Sequence, residues 1–469
     1  MSSLIGLGCR LTVALAAALA CGCTFANKPM NDARVPLESR TLNATRSGTF
    51  LEAAPTNANI EADALRPTTR TSTAPIVDRD GYFVGIAVSG GGSRSANFAA
   101  ACMFQLQRLG VLQHCDYISS VSGGSLTAAY YCAWGDEWNP GNLQKKMTHP
   151  FADDLLRQTL MPWNVVGMTV SHLDRSDLLA NTLRNNLFTR KGRELTFGDL
   201  RSDRPRLLIN ATDLQSGRPF VFSNETFDAL NADLSKYPLA YAVAASSSVP
   251  VVLHHVTLRD FSTTFKQYRH LVDGGVTDNL GIQTLVNVFE SQTTSAVDKG
   301  QPPPYPNGAI FIVLDATTQF DAKLSDQGDI TLLDSLKFGA GLSSTVLINR
   351  ASSATLAEMI VKHGDAKLSA EQLRANISQL NKTGHLSMRD SRGQQIQVMH
   401  LALSRLNDVT DLPFQSFDES VNGIATYFNI DETAAYHLYL AAELIIKDKF
   451  RAPLTEMGEA LKRANAGKE

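Results

Sequence analysis

The sequence predicts an α/β fold, a three-layer α/β/α sandwich with a mainly parallel central sheet and a helical C-terminal extension. Two observations predict it: near-continuous apolar runs of strand length, and helical patterns that separate those runs. The chain has 469 residues, of which 43% are hydrophobic and 19% charged, which is ordinary for a globular protein with one large core.

The first predicted strand, residues 82–88, lies between Gly81 and Gly90 and is apolar at nearly every position, as expected of a strand buried on both faces. Similar runs at 117–121, 206–210 and 309–314 extend the sheet. Helical patterns at 98–109 and 126–133 follow the first two runs. This alternation indicates parallel strands with helices on both faces.

The main domain is predicted to span residues 81–317, because the strand signal fades after Ala316 into polar helical patterns. Residues 318–469 are predicted to form a mostly helical extension packed on that domain, with one late strand candidate around 397–403. A final helix is predicted to begin near residue 431, with Asn429 or Asp431 as its N-cap.

The N-terminus predicts export. Arg10 precedes an apolar run, residues 11–20, that is too short to span a bilayer but suits a signal-peptide core. A small residue directly before a cysteine then resembles the lipobox of bacterial lipoproteins, which favours Cys23 as the lipidated residue and leaves Cys21 as the alternative. A plain secretory signal is the other interpretation. Residues 1–23 are therefore the predicted leader, and the polar residues 24–80 a flexible tether.

Charge and cysteine content exclude several classes of function. The formal net charge is -3 and no basic run follows the pattern of a phosphate-binding surface, so a nucleic-acid partner is not expected. No metal-ligand spacing is present, and no metal or cofactor is expected. Cys102, Cys115 and Cys132 lie in apolar stretches and are predicted to be buried thiols, with one disulfide among them left open.

The most informative short motif is Ser120-Val121-Ser122-Gly123-Gly124, which comes directly after a predicted strand and before a predicted helix. Small neighbours force Ser122 into a tight strand-to-helix turn, which exposes its hydroxyl beside the free amides of the helix N-terminus. Ser122 is therefore a candidate nucleophile. Such a string also occurs by chance, and Ser120 stands where the usual pattern has glycine.

A glycine-rich loop, Gly90-Gly91-Gly92-Ser93-Arg94, follows the first predicted strand. Adjacent glycines leave backbone amides unobstructed, so the loop can hydrogen-bond an oxyanion that develops on a substrate. Arg94 would fix the loop or meet a lipid phosphate. A nucleotide-binding loop is the competing interpretation, but neither G-x-G-x-x-G nor Gly-Lys-Ser/Thr is present.

A third motif, Asp273-Gly274-Gly275, comes after the apolar pair Leu271-Val272. A carboxylate at a strand end, followed by glycines that allow close backbone approach, can accept the serine proton as a general base. In isolation the same three residues favour an ordinary turn over a catalytic role.

The order and spacing of the three motifs closely resemble the patatin-like phospholipase family. That family has a glycine-rich loop ending in arginine, a G-x-S-x-G elbow and a later Asp-Gly-Gly or Asp-Gly-Ala. Ala211-Thr212-Asp213-Leu214 and the segment 244–250 resemble further family features, so the resemblance covers about residues 83–316. Ser120 departs from the first elbow glycine, but serine is small enough for the turn.

The resemblance implies a Ser122–Asp273 dyad that hydrolyses an acyl-ester lipid such as a phospholipid through an acyl-enzyme, with no cofactor. A histidine base drawn from His254, His255 or His270 is the alternative in a Ser-His-Asp arrangement. An acyltransferase or thioesterase with the same dyad, and a non-catalytic envelope lipoprotein, remain open as other functions. The leader implies a lipid anchor in the bacterial envelope, on the periplasmic side of the outer membrane, so a membrane surface is the expected partner.

An apolar stretch around residues 160–168, which contains Trp163, lies between these motifs. Its aromatic and methionine content would suit contact with an acyl chain or a membrane. A core segment interrupted by Pro162 is the more ordinary interpretation.

Overall fold

The computed structural model describes residues 27–34, 80–135, 137–250, 252–318, 355–359 and 368–466. The predicted leader with Cys21 and Cys23, most of the predicted tether and residues 319–354 lie outside these ranges. The predictions made for them therefore stay predictions.

Strands and helices alternate through the first half of the described chain. The strands are β1 (Tyr82–Val88), β2 (Tyr117–Val121), β3 (Thr189–Arg190), β4 (Arg193–Glu194), β5 (Arg206–Asp213), β6 (Arg218–Phe222), β7 (Val256–Asp260), β8 (Gln267–Asp273), β9 (Gly308–Asp315), β10 (His385–Arg389) and β11 (Gln395–Ala402). The helices are α1 (Gly92–Arg108), α2 (Gly124–Ala133), α3 (Pro140–Met147), α4 (Phe151–Thr159), α5 (Pro162–Val170), α6 (Arg175–Asn186), α7 (Asn224–Ala229), α8 (Leu239–Ser246), α9 (Ile282–Asp298), α10 (Ala370–Thr383), α11 (Phe417–Asn422), α12 (Glu432–Ile445) and α13 (Arg451–Ala466).

The described strands form a nine-stranded sheet of order β10-β11-β9-β1-β2-β5-β8-β7, with β6 paired to β5. Strands β11, β9, β1, β2 and β5 are mutually parallel, whereas β10, β6, β8 and β7 pair antiparallel to their neighbours. Because β1 is flanked by β2 on one side and by β9 on the other, the chain changes direction across the sheet at β1. Ligand sites in open α/β sheets lie at the carboxyl ends of strands at such a point.

Helices cover both faces of the sheet because the central strands are apolar on both faces. On one face, Ile86 packs in a core with α1, α2 and α12. On the other face, Phe83 packs in a second core with α9 and α10. The predicted three-layer sandwich with a mainly parallel sheet is confirmed.

The C-terminal residues are mostly helical, but they also widen the sheet. Strand β11 pairs in parallel with β9, and β10 completes a hairpin at the sheet edge. The late strand predicted at 397–403 is therefore β11, whose observed bounds begin two residues earlier. The predicted capping is confirmed, since the Asp431 side chain accepts a hydrogen bond from the Ala434 amide at the start of α12.

Residues 27–34, within the predicted tether, lie against the main domain. The Asn27 Oδ1 atom accepts a hydrogen bond of 2.7 Å from the Thr257 amide, and Asn31 exchanges two bonds with the backbone of Arg259. Asn27 and Asn31 are both buried. This part of the segment thus differs from a flexible tether, because its asparagine side chains satisfy backbone groups at the edge strand β7.

Helix α5 is a surface helix, so the core interpretation of its apolar stretch was wrong. Among its residues only Met168 is buried, whereas Trp163 is 68% and Val170 76% exposed. Pro162 does not break a core segment but occupies the first position of α5, where its missing amide costs nothing.

Cys102, Cys115 and Cys132 are buried, and within the described ranges they form no disulfide. Within the described ranges, no helix has the length and apolar character needed to cross a membrane. The same ranges contain no group of three or more histidine, cysteine or acidic side chains arranged to hold a metal ion.

Candidate active site

Ser122 lies in a sharp turn between β2 and α2. Its φ angle is +49°, in the left-handed region that L-residues rarely adopt, so the elbow stores backbone strain. The two glycines that follow make the turn possible. A Cβ atom on Gly123 would lie 2.1 Å from the Gly92 carbonyl oxygen, and one on Gly124 would lie 2.5 Å from the Ser89 carbonyl oxygen.

Ser246, at the end of α8, holds this turn in place. Its hydroxyl accepts a hydrogen bond of 2.8 Å from the Ser122 amide and donates one of 2.5 Å to the Asn210 carbonyl. The Ser125 hydroxyl lies 3.3 Å from the same oxygen. Sequence reasoning missed this role; a wholly buried serine in an otherwise apolar helix was the signal that pointed to it.

The sheet register brings Asp273 level with Ser122. Val121 pairs with Asn210 on one side of β5, and Asp273 pairs with Ala211, the next residue, on the antiparallel β8. The two side chains therefore meet across β5, although 150 residues separate them in the sequence. Gly274 permits this approach, because a Cβ atom there would lie 2.4 Å from the Asn210 carbonyl oxygen.

The Ser122 hydroxyl lies near enough to the Asp273 carboxylate to act on its pKa through hydrogen bonding, and the Gly275 amide donates a bond of 2.7 Å to the same carboxylate. Burial raises the pKa of Asp273 to about 6, and these two hydrogen bonds oppose that rise by favouring the charged form. Asp273 is only 5% and Ser122 only 6% exposed. A carboxylate with such a pKa is ionised at neutral pH yet basic enough to accept a proton.

The three candidate histidines make other contacts. The rings of His255 and His270 pack edge to face at 4.5 Å, and the His270 Nδ1 atom lies 3.3 Å from the Thr257 hydroxyl. The His254 carbonyl accepts a hydrogen bond from the Ser176 hydroxyl. Burial lowers the pKa of His255 to about 4, with the neighbouring histidines acting in the same direction.

The glycine-rich loop lies directly beside the elbow. Gly91 and Gly92 have φ angles of +138° and +59°, and α1 begins at Gly92. The Gly90 amide donates to the Asn279 carbonyl at 2.9 Å, and the Ser93 amide donates to the Tyr427 carbonyl at 2.7 Å. Within the described part of the chain, the amides of Gly91 and Gly92 have no acceptor. They are therefore the better candidates for binding an oxyanion at this helix N-terminus.

Arg94 fixes the loop to the C-terminal half of the chain. Its guanidinium donates to the Ile424 carbonyl at 2.7 Å and lies 3.4 Å from the Thr318 hydroxyl. Burial lowers the pKa of Arg94 to about 10, against an opposing effect of Asp315. A side chain only 5% exposed and bonded in this way positions the loop, the first of the two roles considered for it.

Ser120 occupies the strand position where the usual elbow has glycine. Its side chain is wholly buried, and its carbonyl accepts a bond of 2.9 Å from the Asn210 side chain. The turn accommodates this serine without displacing Ser122 from the carboxylate.

The site lies within a segment that is similar to a known sequence family. Residues 86–286 match the family model described as patatin-like phospholipase. No curated protein sequence matches the chain.

Among solved structures, human GIVD cytosolic phospholipase A2 aligns with a TM-score of 0.47 and 13% identity, over 82% of this chain and 61% of that chain. The same human enzyme in complex with methyl gamma-linolenyl fluorophosphonate aligns with a TM-score of 0.43 and 13% identity, over 83% and 60% of the two chains. VipD from Legionella pneumophila aligns with a TM-score of 0.27 and 13% identity, over 78% and 67%. The chain thus spans about three fifths of the length of the human enzyme.

Proposed function

We propose that this chain is a lipid acyl hydrolase of the patatin-like phospholipase type, with Ser122 as nucleophile and Asp273 as general base, and the match of residues 86–286 to that family model supports the proposal. One observation carries the proposal: the hydroxyl of a serine in a strained elbow lies within hydrogen-bonding reach of a buried carboxylate whose pKa is raised to about 6. Nucleophile and base in direct contact are what acyl transfer from an ester requires.

The first half-reaction forms an acyl-enzyme. As the Ser122 oxygen bonds to the ester carbonyl carbon, its proton passes to Asp273, and the carbonyl oxygen becomes an oxyanion held by the amides of Gly91 and Gly92. When the intermediate collapses, the carbon–oxygen bond to the alcohol breaks and the alcohol takes the proton from Asp273. In the second half-reaction Asp273 accepts a proton from water as the water oxygen bonds to the acyl carbon; the bond to the Ser122 oxygen then breaks, Ser122 takes the proton from Asp273, and the fatty acid is released.

The proposal extends to a phospholipase A or lysophospholipase type of substrate and to a membrane location. A phospholipid or related acyl-ester lipid fits the family, and the leader with Cys23, or alternatively Cys21, supports a lipid anchor at the periplasmic face of the outer membrane. Transfer of the acyl group to an alcohol instead of water would use the same dyad, so product analysis with and without an added acceptor alcohol distinguishes hydrolase from acyltransferase.

A fluorophosphonate probe tests the nucleophile. We expect labelling of the unaltered chain and none of Ser122→Ala, because the probe bonds only to an activated serine oxygen. Ser120→Ala is the matched control, since it removes another buried hydroxyl two residues away and should label normally. Equal labelling of Ser122→Ala and the unaltered chain would assign the nucleophile to another residue.

A further inference from the structure

Helices α4 and α5 present a row of exposed apolar side chains, here called the apolar face. These side chains are between 48% and 76% exposed. The members of the apolar face are Leu156, Leu160, Trp163, Val166 and Val170. Within α5, Trp163, Val166 and Val170 recur every three or four residues, so these three share one side of the helix. A contiguous exposed patch of this kind marks an interaction surface.

The chemistry of the apolar face suits a lipid layer. No charged residue lies between Arg157 and His172. The polar side chains of this segment are satisfied within the protein, since Gln158 donates to the Thr182 hydroxyl at 2.6 Å and Asn164 donates to the Gln158 carbonyl at 2.8 Å. The side chains that remain exposed on this segment are aliphatic, apart from Trp163. Tryptophan is enriched at membrane interfaces.

The apolar face lies between two elements that flank the dyad. On one side, the Ala152 amide at the start of α4 donates to the Phe428 carbonyl at 3.2 Å, and the neighbouring Tyr427 carbonyl binds the Ser93 amide of the glycine-rich loop. On the other side, the Ser176 hydroxyl at the start of α6 lies 3.3 Å from that of Ser248, whose carbonyl accepts the Asp273 amide. The segment that contains α5 is therefore connected at both ends to elements beside the catalytic pair.

The N-terminal chain reaches the body of the protein on this side. Asn27 is bonded to Thr257 at the start of β7, and His254, three residues earlier, is bonded through its carbonyl to Ser176 of α6. Cys23 precedes Asn27 by four residues, so an extended chain can separate them by at most about 14 Å. A lipid attached at Cys23 is thus held close to the segment that follows α5.

We propose that the apolar face docks the enzyme on a phospholipid bilayer, in the same layer that receives the N-terminal lipid, and so presents the catalytic end of the sheet to its substrate. The proposal rests on the lipid acyl hydrolase function given above. In this arrangement the protein is held against the membrane at two nearby points, the apolar face and the N-terminal lipid, and is not attached by a long flexible tether alone.

Vesicle binding of the full chain tests the proposal. The vesicles contain phosphatidylethanolamine and phosphatidylglycerol at about 3:1, in proportions typical of bacterial membranes, and the Ser122→Ala background keeps them intact during the measurement. Val166→Asp should weaken co-sedimentation about tenfold, because a carboxylate on the apolar face must be desolvated on docking. Val297→Asp is the matched control: Val297, near the end of α9, is 56% exposed and lies toward the opposite end of the sheet, so binding should not change.

Two further readouts separate the possible outcomes. In the active chain, Val166→Asp should lower hydrolysis of vesicle phospholipid while leaving turnover of a soluble short-chain ester unchanged. If the soluble ester is not turned over by the unaltered chain, the hydrolase function fails, whereas the vesicle-binding result still stands on its own. Equal vesicle binding by Val166→Asp and Val297→Asp overturns docking, as does sedimentation showing that Val166→Asp only dissociates a dimer.

Discussion

Replacing Asp273 by asparagine is expected to stabilise the folded protein at neutral pH while it removes the general base. The Asp273 carboxylate is buried, and its folded-state pKa of about 6 exceeds the ordinary value of 3.8. A group whose pKa is raised on folding binds its proton more tightly in the folded state. Its stabilising contribution is therefore complete below about pH 4 and is lost as pH rises through about 6.

The size of the effect follows from the pKa difference. Slightly more than two pKa units, at about 1.4 kcal/mol per unit, correspond to about 3 kcal/mol of unfolding free energy lost by the aspartate between pH 4 and pH 7. Asparagine carries no charge to desolvate, and its carbonyl oxygen can still accept the Gly275 amide. The variant should thus match the unaltered protein near pH 4 and exceed it by about 3 kcal/mol at pH 7.

Urea unfolding of the two proteins at a series of pH values measures this difference directly. Other titrating groups are common to both proteins and cancel in the comparison. A difference in unfolding free energy that stays constant from pH 4 to pH 8 would refute the reasoning, because it would mean that Asp273 titrates alike in the folded and unfolded states. Hydrolysis of a soluble ester by the same samples should fall by at least about a hundredfold in the variant.

The other predictions concern the base and the elbow. With the unaltered enzyme, kcat/KM for a soluble ester should rise with pH and level off above about 6, because Asp273 must be ionised to accept the serine proton. If kcat/KM instead levelled off above about pH 4, the result would indicate His255 as the base, because its pKa is lowered to about 4. Gly123→Ala should abolish probe labelling and cost about 2 kcal/mol or more in urea unfolding, since the added Cβ would lie 2.1 Å from the Gly92 carbonyl oxygen. Gly141→Ala, where the nearest atom is 3.8 Å away, should be neutral or slightly stabilising, and equal effects of the two changes would contradict the packing argument.

Local patterns were enough to predict the central strands and the elbow. The predicted bounds of β1 and β2 agree with the structure, because both strands are largely apolar and are followed by glycine-rich turns. The contact between Ser122 and Asp273 was anticipated through the family resemblance. Sequence spacing alone cannot predict this contact, because it depends on β8 pairing antiparallel with β5 in one particular register.

Long-range contacts account for the features of the structure that the sequence did not predict. The sequence predicted that the Ser93 amide belongs to the oxyanion site. In the structure this amide donates its hydrogen bond to the Tyr427 carbonyl, more than 300 positions away in the sequence. The docking of Asn27 and Asn31 on β7 likewise arises from side chains that pair with a distant edge strand. A polar segment without apolar periodicity gives no local sign of such pairing.

The β10–β11 hairpin has a consequence for how this protein can be shortened. Because β11 pairs with β9 along its whole length, a protein ending soon after β9 would expose seven main-chain pairing positions at the border of an apolar sheet. Strands of other chains can pair with such an exposed edge. The same truncation also removes the carbonyl groups of Tyr427 and Ile424, which accept hydrogen bonds from Ser93 and Arg94. We therefore expect residues 86–286 alone, which match the family model and lack both β9 and β11, not to form a soluble module.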